Sequence, residues 1–185
     1  MARTESTSIP LGFKAPDFSL VEPLTGLIRS LDELKSEKAT VIIFMCNHCP
    51  YVIHVLDGIV ALSNDYKSKG INFVAINAND VENYPDDSPE KMKELASKKK
   101  FSFPYLFDES QNVAKAYDAA CTPEFHIFDK NLSCIYRGQL DDARPSNDVP
   151  VSGKDVRNAL DNILEGRPVD LNQKPSIGCN IKWKS

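Results

Sequence analysis

Two cysteines three residues apart, Cys46 and Cys49, carry the chemistry that this sequence indicates. They follow an apolar run of β type, residues 41–45, and precede a segment with apolar residues at helical spacing. A thiol in the first turn of a helix lies near free backbone N–H groups and the positive end of the helix dipole, which favour the thiolate. Two thiols within one turn can close a disulfide, so the pattern predicts a dithiol–disulfide redox centre.

The order of the motif suggests a role for each residue. We expect Cys46 to be the attacking thiol, because it is predicted to lie at the helix start and to face solvent. Cys49 would then be the resolving thiol, which attacks the mixed disulfide and releases the product. His48 lies between them, and a protonated or hydrogen-bonding imidazole would stabilise the thiolate and make the disulfide more oxidising. Pro50 falls in the first helical turn, where its missing N–H costs little.

The composition is typical of one compact enzyme domain. The chain has 185 residues, of which 42% are hydrophobic, and a formal net charge of −4. We expect one domain over residues 1–185, with a flexible N-terminus at 1–10 and an irregular tail at 167–185. The charge gives no reason to expect nucleic acid or a membrane as a partner. Residues 1–8 lack the apolar core of a secretory signal, and five cysteines without one predict free thiols in the reducing cytoplasm.

The order of the predicted elements indicates an α/β fold, with a central mixed sheet flanked by helices. The continuous apolar strand at 40–45 is typical of a sheet that is covered on both faces. We expect hairpins at 18–30 and 124–137, strands at 40–45, 71–77 and 103–107, and helices after Cys46 as far as Gly70, from Ser88 onward, at 111–117 and at 154–165.

Further segments give the chain a family resemblance. Residues 12–20, Gly-Phe-Lys-Ala-Pro-Asp-Phe-Ser-Leu, resemble the opening of redoxin and peroxiredoxin domains, and Thr122-Pro123 before a hairpin resembles thioredoxins. With the Cys-x-x-Cys unit and the closing residues 176–183, the chain is similar to peroxiredoxin-like proteins of the thioredoxin fold, relatives of alkyl hydroperoxide reductase and thiol-specific antioxidant proteins. The resemblance implies a thioredoxin-like fold. It also implies a cis Pro123 opposite the two cysteines, with Thr122 offering backbone groups to an extended substrate.

Three cysteines lie outside the motif. Cys121 directly precedes Thr122, so in this fold it would lie near Cys46, where it is either a third redox thiol or a small buried residue. Cys134 lies in a predicted strand and is most simply a core residue. Cys179 lies in the tail, where it could fold back as a resolving thiol or pair between subunits, although a packed tail cysteine is the simpler interpretation.

The motif favours thiol–disulfide exchange and leaves alternatives open. In peroxiredoxins the peroxidatic cysteine occupies the place of Cys49, but the family pattern needs Pro and Thr where this chain has Ile42 and Cys46. The stretch that usually carries the peroxidase Arg, here 122–125, contains none. An alternative from another class is a Zn²⁺ or Cu⁺ carrier or sensor that uses Cys46, His48 and Cys49. A non-catalytic interaction domain is the remaining alternative.

We therefore expect a thiol–disulfide oxidoreductase that exchanges with protein or small-molecule disulfides. No organic cofactor is implied, because the two sulfurs carry both electrons. Reducing equivalents would come from thioredoxin, glutathione or another dithiol donor. The sequence alone leaves the direction of electron flow and the oligomeric state open.

Overall fold

The computed structural model describes residues 3–184, which form two β-sheets and five α-helices. A short 3₁₀ turn, Pro85–Asp87, precedes the third helix. The strands are β1 (Arg3–Glu5), β2 (Ser19–Val21), β3 (Ile28–Ser30), β4 (Ala39–Phe44), β5 (Ile71–Asn77), β6 (Tyr105–Phe107), β7 (Cys121–Thr122), β8 (Glu124–Asp129), β9 (Cys134–Gly138) and β10 (Ile177–Asn180). The helices are α1 (Leu31–Leu34), α2 (Pro50–Lys67), α3 (Pro89–Lys99), α4 (Asn112–Ala116) and α5 (Lys154–Leu164).

The central sheet has seven strands in the order β3-β2-β6-β5-β4-β8-β9. It is mixed, as predicted, because β4 pairs parallel with β5 and antiparallel with β8. All six residues of β4 are buried, since successive side chains point to opposite covered faces. Val41 and Ile43 pack in one apolar cluster with α2 and α5, and Ile42 and Phe44 pack in a second cluster with α1 and α4. The two clusters confirm that helices flank the sheet.

Pro50 sets the start of α2. A proline disfavours the α conformation in the residue before it, and Cys49 accordingly has extended angles, φ −68° and ψ 123°, and is the N-cap. Residues 45–48 therefore form a loop between β4 and the helix. The prediction that Cys46 lies in the exposed first helical turn is wrong: Cys49 stands at the helix start, and Cys46 is only 1% exposed.

The two ends of the chain meet in a second sheet, of three strands in the order β1-β10-β7. One edge of β10 pairs antiparallel with β1, with Arg3 opposite Cys179. The other edge pairs antiparallel with β7, where Cys179 lies opposite Thr122. The tail predicted to be irregular at 167–185 therefore contains a strand, β10. The N-terminus predicted to be flexible at 1–10 contains β1, its first two residues lie outside the described part of the chain, and its flexibility stays a prediction.

The remaining predicted elements are present with modest changes at their ends. The strand predicted at 103–107 is shortened to β6, and the helix predicted at 111–117 is shortened to α4. Within residues 3–184, no helix combines the length and the apolar character that crossing a bilayer requires. The single domain over residues 1–185 stays a prediction.

Candidate active site

The two cysteines of the motif form a closed cluster with Thr122. Cys46 and Cys49 are both free and buried, with exposures of 1% and 0%. Thr122 Oγ1 lies 3.5 Å from Cys46 Sγ, and the Thr122 carbonyl oxygen lies 3.3 Å from Cys49 Sγ. The strand before the helix and the β7 strand thus bring together the residues that the motif and the resemblance predicted. Their sulfur atoms do not face solvent, because the surrounding chain covers them.

The Thr122–Pro123 peptide bond is cis, as the resemblance implied. The hydroxyl and the carbonyl of Thr122 both face the cysteine pair. One backbone edge of Thr122 is not free for an extended substrate, however, because β10 pairs with it. The chain's own tail strand occupies that edge.

Cys179 brings the tail into the site. Its Sγ lies 2.7 Å from Cys49 Sγ, and its side chain is buried. Cys179 is thus a packed tail cysteine, the simpler of the interpretations, and it packs against the motif; a resolving role stays a prediction. The contact depends on the pairing of β10 with β7, which sets Cys179 opposite Thr122.

Cys121 and Cys134 lie in different surroundings. Cys121 Sγ contacts Glu124 Oε2 at 3.7 Å and the Ser176 carbonyl oxygen at 3.8 Å. Neighbouring residues of a strand point to opposite faces, so Cys121 faces away from the pair when Thr122 faces toward it. The thiol in direct contact with the motif is therefore that of Cys179, and a redox role for Cys121 stays a prediction. Cys134 is a buried residue of β9, as predicted.

The electrostatics of the pair favour a thiolate at Cys49. The hydrogen bond with Cys46 lowers the pKa of Cys49 to about 5, although burial opposes this. Cys179 and the backbone of Val52 also act to lower it. The hydrogen bond with Cys49, burial and the Asp87 carboxylate raise the pKa of Cys46 well above its ordinary value. The position of Cys49 as N-cap of α2 adds the helix dipole in the same direction.

Asp87 is a buried site residue that no sequence signal identified. Its carboxylate accepts backbone N–H groups of Asn47 at 2.7 Å and His48 at 3.3 Å. Its other oxygen accepts the Asn79 side chain at 2.8 Å and lies 2.6 Å from His48 Nδ1. The three contacts with Asn47 and His48 hold the loop that carries Cys46, and the contact with Asn79 ties that loop to the end of β5. In the sequence, Asp87 stands in a polar run next to an exposed Asp86, and nothing in the pattern separates the two.

His48 and Asn47, the two residues between the cysteines, border solvent, and His48 Nδ1 reaches inward to Asp87. The side chain of His48 is 16% exposed, and its ring stacks on Tyr84 with centroids 5.6 Å apart. A groove of about 470 Å³ opens beside it, lined by Asn47, His48, Ile53 and residues of α3. His48 is thus anchored to Asp87 through Nδ1, and its support of the thiolate stays a prediction.

The hydrogen bonds of Asp87 also bear on whether the motif could hold a metal ion. Cys46, His48 and Asp87 each offer one ligand atom, and these atoms lie within 4.8 Å of one another. This set of candidate ligands contains Asp87, whereas the set predicted from the sequence contained Cys49. The acceptor positions of Asp87 are already used by four nitrogen partners, which a metal would have to displace. Three ligands are also fewer than a structural zinc site uses. The contacts favour a hydrogen-bonded loop anchor over a metal centre.

A buried charge network lies next to the cis proline in the chain. Glu124 Oε1 accepts Arg137 Nη2 at 2.7 Å and lies 2.8 Å from His126 Nε2. Glu124 Oε2 accepts the backbone N–H groups of Ala120 and Cys121. Burial opposes ionisation of Glu124, but the hydrogen bond with His126 and the charges of His126 and Arg137 lower its pKa to about 2. The network fixes the backbone on either side of Thr122 and Pro123.

The comparisons with known proteins agree with this arrangement. The model of the redoxin family matches residues 10–155. The thiol-disulfide oxidoreductase ResA of Geobacillus kaustophilus (strain HTA426) is 28% identical over 128 residues, which are 69% of this chain and 68% of ResA. The region that the family model matches includes the motif, the Thr122–Pro123 bond and the network around Glu124.

Solved structures support the fold. An uncharacterized conserved protein from Geobacillus kaustophilus has a TM-score of 0.98 at 59% identity, over 100% of this chain and 97% of that one. A putative thioredoxin from Neisseria meningitidis has a TM-score of 0.63 at 22% identity, over 84% of this chain and 93% of that one. The second likeness concerns the fold alone, and it confirms the thioredoxin-like fold that the sequence resemblance implied.

Proposed function

The chain belongs to the redoxin family, and from that premise we propose that it is a thiol–disulfide oxidoreductase with Cys46 and Cys49 as its redox pair. The observation that carries the proposal is the pair itself: two free thiols that both pack against Thr122, beside a cis proline. The lowered pKa of Cys49 supplies a thiolate at neutral pH. The relative ResA, a thiol-disulfide oxidoreductase, supports thiols and disulfides as the substrate class.

The exchange transfers two electrons between the cysteine pair and the substrate, and it can run in either direction. When the pair is oxidised, an incoming thiolate attacks Cys46 Sγ, and the Cys46–Cys49 bond breaks with its electron pair on Cys49. Cys49 is a good leaving group because its pKa is lowered. A second substrate thiolate then attacks the mixed disulfide, which forms the substrate disulfide and leaves both cysteines reduced. In the opposite direction, Cys46 gives its proton to the Cys49 thiolate and attacks a substrate disulfide, which releases one substrate thiolate. That thiolate takes the proton from Cys49, and the Cys49 thiolate then attacks Cys46 Sγ, closes the Cys46–Cys49 bond and releases the second substrate thiolate.

The groove beside His48 is the approach that we propose for substrates. Both sulfurs are buried, and the loop with Asn47 and His48 separates Cys46 from the groove of about 470 Å³. Ile53 in this groove is 58% exposed and offers an apolar contact, while Lys91 and Glu94 offer charged ones. A small disulfide or a flexible peptide fits such an opening better than a rigid protein surface. Thioredoxin or glutathione as electron donor, and the cytoplasm as compartment, stay predictions from the sequence.

A thiol peroxidase with Cys49 as the peroxidatic thiol is the second candidate. The position of Cys49 at the helix N-terminus, with a lowered pKa, favours it. The chain has Ile42 and Cys46 at the positions where the peroxiredoxin pattern has Pro and Thr. The nearby Arg137 is bound to Glu124. Exchange therefore accounts for more of the site than peroxide reduction does.

The test compares two oxidants on the fully reduced protein. Oxidised glutathione and hydrogen peroxide are added separately, free thiols are alkylated, and the sulfur links are mapped by mass spectrometry. Ready formation of a Cys46–Cys49 disulfide from oxidised glutathione, with slow reaction toward peroxide, supports exchange. Fast peroxide oxidation through a sulfenic acid at Cys49 makes the protein a peroxidase instead. Cys46→Ser and Cys49→Ser should each abolish turnover of a disulfide substrate, whereas Cys134→Ala in β9 should retain it.

A further inference from the structure

A third thiol lies in the redox site and has no part in the exchange described above. Cys179 Sγ is 2.7 Å from Cys49 Sγ, closer than two sulfur atoms approach in ordinary van der Waals contact. Cys49 therefore has two thiol neighbours, Cys46 from its own loop and Cys179 from the tail. The strand that carries Cys179 is separated from the motif by 130 residues of sequence, so the contact is a product of the fold.

Backbone pairing on both edges holds Cys179 in this position. β10 is the middle strand of its sheet, with Arg3 opposite Cys179 on one side and Thr122 on the other. Gly178 permits the close approach to β7, because a Cβ at this position would overlap the Thr122 carbonyl group. Any other residue there would push the strand away from Thr122. Cys179 is therefore set against Cys49 by strand register and by one glycine.

We propose that Cys179 is a third redox thiol, which exchanges with the Cys46–Cys49 disulfide to give a Cys49–Cys179 disulfide. The inference rests on the proposed function, because that function forms the disulfide on which Cys179 acts. The Cys179 thiolate attacks Cys49 Sγ, the Cys49–Cys179 bond forms, and the Cys46–Cys49 bond breaks with its electron pair on Cys46. Cys46 takes up the proton that Cys179 has lost. One disulfide replaces another, so the step consumes no oxidant and no reductant.

The raised pKa values of Cys46 and Cys179 in the reduced protein oppose this step, but part of their cause is absent once Cys46 and Cys49 form a disulfide. In the reduced protein, the hydrogen bond with Cys49 is the largest cause of the raised pKa of Cys46. Burial raises the pKa of Cys179 to about 12, and the contact with Cys49 adds to this. Both contributions from Cys49 end when its sulfur enters a disulfide. Lys182 acts on Cys179 in the opposite direction and favours its thiolate.

The exchange has two consequences for the protein. It returns Cys46 as a free thiol in the loop that it shares with His48, while the chain as a whole stays oxidised. It also ties β10 covalently to the start of α2, which keeps Cys49 covered. The protein then has two oxidised forms with the same electron count, one with the redox pair closed and one with the tail locked onto the site.

Trypsin separates the two disulfides cleanly. Cys46 and Cys49 share the peptide 39–67, whereas Cys179 lies in the peptide 158–182, because Arg167 and Lys174 each precede a proline and are not cleaved. A Cys46–Cys49 bond stays within one peptide, and a Cys49–Cys179 bond joins two.

The experiment follows both products after oxidised glutathione is added to the reduced, full-length protein. In the wild type, the internal disulfide of peptide 39–67 should appear first, and the joined peptide should grow at its expense. In Cys46→Ser, most of the oxidised protein should carry a Cys49–Cys179 disulfide, which is detected as the joined peptide. Cys46→Ser combined with Cys179→Ser should stop at glutathione bound to Cys49. Cys134→Ala should behave as the wild type.

The outcomes distinguish this inference from the proposed function. If the wild type closes the Cys46–Cys49 bond but never yields the joined peptide, the role of Cys179 is refuted and the function stands. If the wild type forms neither disulfide, the function is refuted and the role of Cys179 with it. The wild-type time course involves no substitution, so it decides the question even where Cys46→Ser folds poorly.

Discussion

Cys179 lies opposite Thr122 in an antiparallel strand pair, and Thr122 is the residue that precedes the cis proline. The same Thr122 packs its hydroxyl against Cys46 and its carbonyl against Cys49. A cysteine-bearing strand of the protein itself therefore lies beside the redox pair in the way that an extended thiol substrate would. This explains why both sulfurs of the motif are buried, although the chemistry that they indicate needs access to another molecule.

Gly178→Ala should uncover Cys49. The added Cβ overlaps the Thr122 carbonyl group, so β10 must move away from β7 and Cys179 must leave Cys49. A local loss of about 1.4 kcal/mol raises the open population about tenfold, and we expect alkylation of Cys49 by iodoacetamide to rise by at least that factor. Gly12→Ala is the comparison: its φ of +91° strains an alanine locally, but a Cβ there meets no atom within 4 Å and displaces no neighbouring strand. Equal alkylation rates in the two variants would contradict the role of Gly178.

Cys46→Ala should raise the pKa of Cys49. The hydrogen bond with Cys46 is the largest of the effects that lower this pKa from 9.0 to about 5, and alanine removes it. A titration of the wild type by thiolate ultraviolet absorbance should show a step near pH 5, which Cys49→Ser abolishes. In Cys46→Ala the step should move toward pH 9, the ordinary value for a cysteine. A step that stays in place would show that the helix N-terminus and Cys179 are sufficient.

Asp87→Asn should loosen the loop that carries Cys46. The amide keeps only one acceptor oxygen, so it can serve either the backbone N–H groups of Asn47 and His48 or the Asn79 amide, and a buried donor loses its acceptor. A buried donor left unsatisfied costs about 1–3 kcal/mol, so denaturant unfolding should show a loss of that size, together with slower disulfide exchange. Asp86→Asn is the matched control, since its side chain is exposed and should change stability by less than about 0.5 kcal/mol. Two variants of equal stability would mean that Asp87 is not an anchor.

The elements with strong local patterns were predictable from the sequence, and the tail was not. α2 has five buried apolar residues at helical spacing, and Ser88 caps α3 as its sequence indicates. β1 and β10 have only three and four residues and lack a clear alternation. They are strands because each finds a partner edge in the folded chain. Such pairing joins residues far apart in sequence, and periodicity within one segment does not report it.

The residues of the candidate site likewise fall into those that the sequence predicted and those that depend on long-range packing. Cys46, Cys49, Thr122 and Pro123 were identified by motif and resemblance, and the fold brings all four together. The exposure expected for Cys46 was wrong, because Pro50 keeps the residue before it out of the helix and moves the helix start to Cys49. Asp87 and the contact of Cys179 with Cys49 depend on tertiary packing, for which a single sequence gives no direct signal.

Glu124→Gln should destabilise the protein in a pH-dependent way. Removing the carboxylate leaves Arg137 buried without its charge partner, and breaking a buried pair costs about 3–5 kcal/mol. The pKa of Glu124 is lowered from 4.5 to about 2 in the folded chain, so its charge adds stability that is fully present above pH 4.5 and is lost as the pH falls toward 2. Denaturant unfolding should therefore show a large difference between wild type and Glu124→Gln at neutral pH and a smaller one at about pH 3. Glu109→Gln, on an exposed residue, should show little difference at either pH. A difference for Glu124→Gln that is the same at both pH values would contradict an ionised Glu124 beside the cis proline.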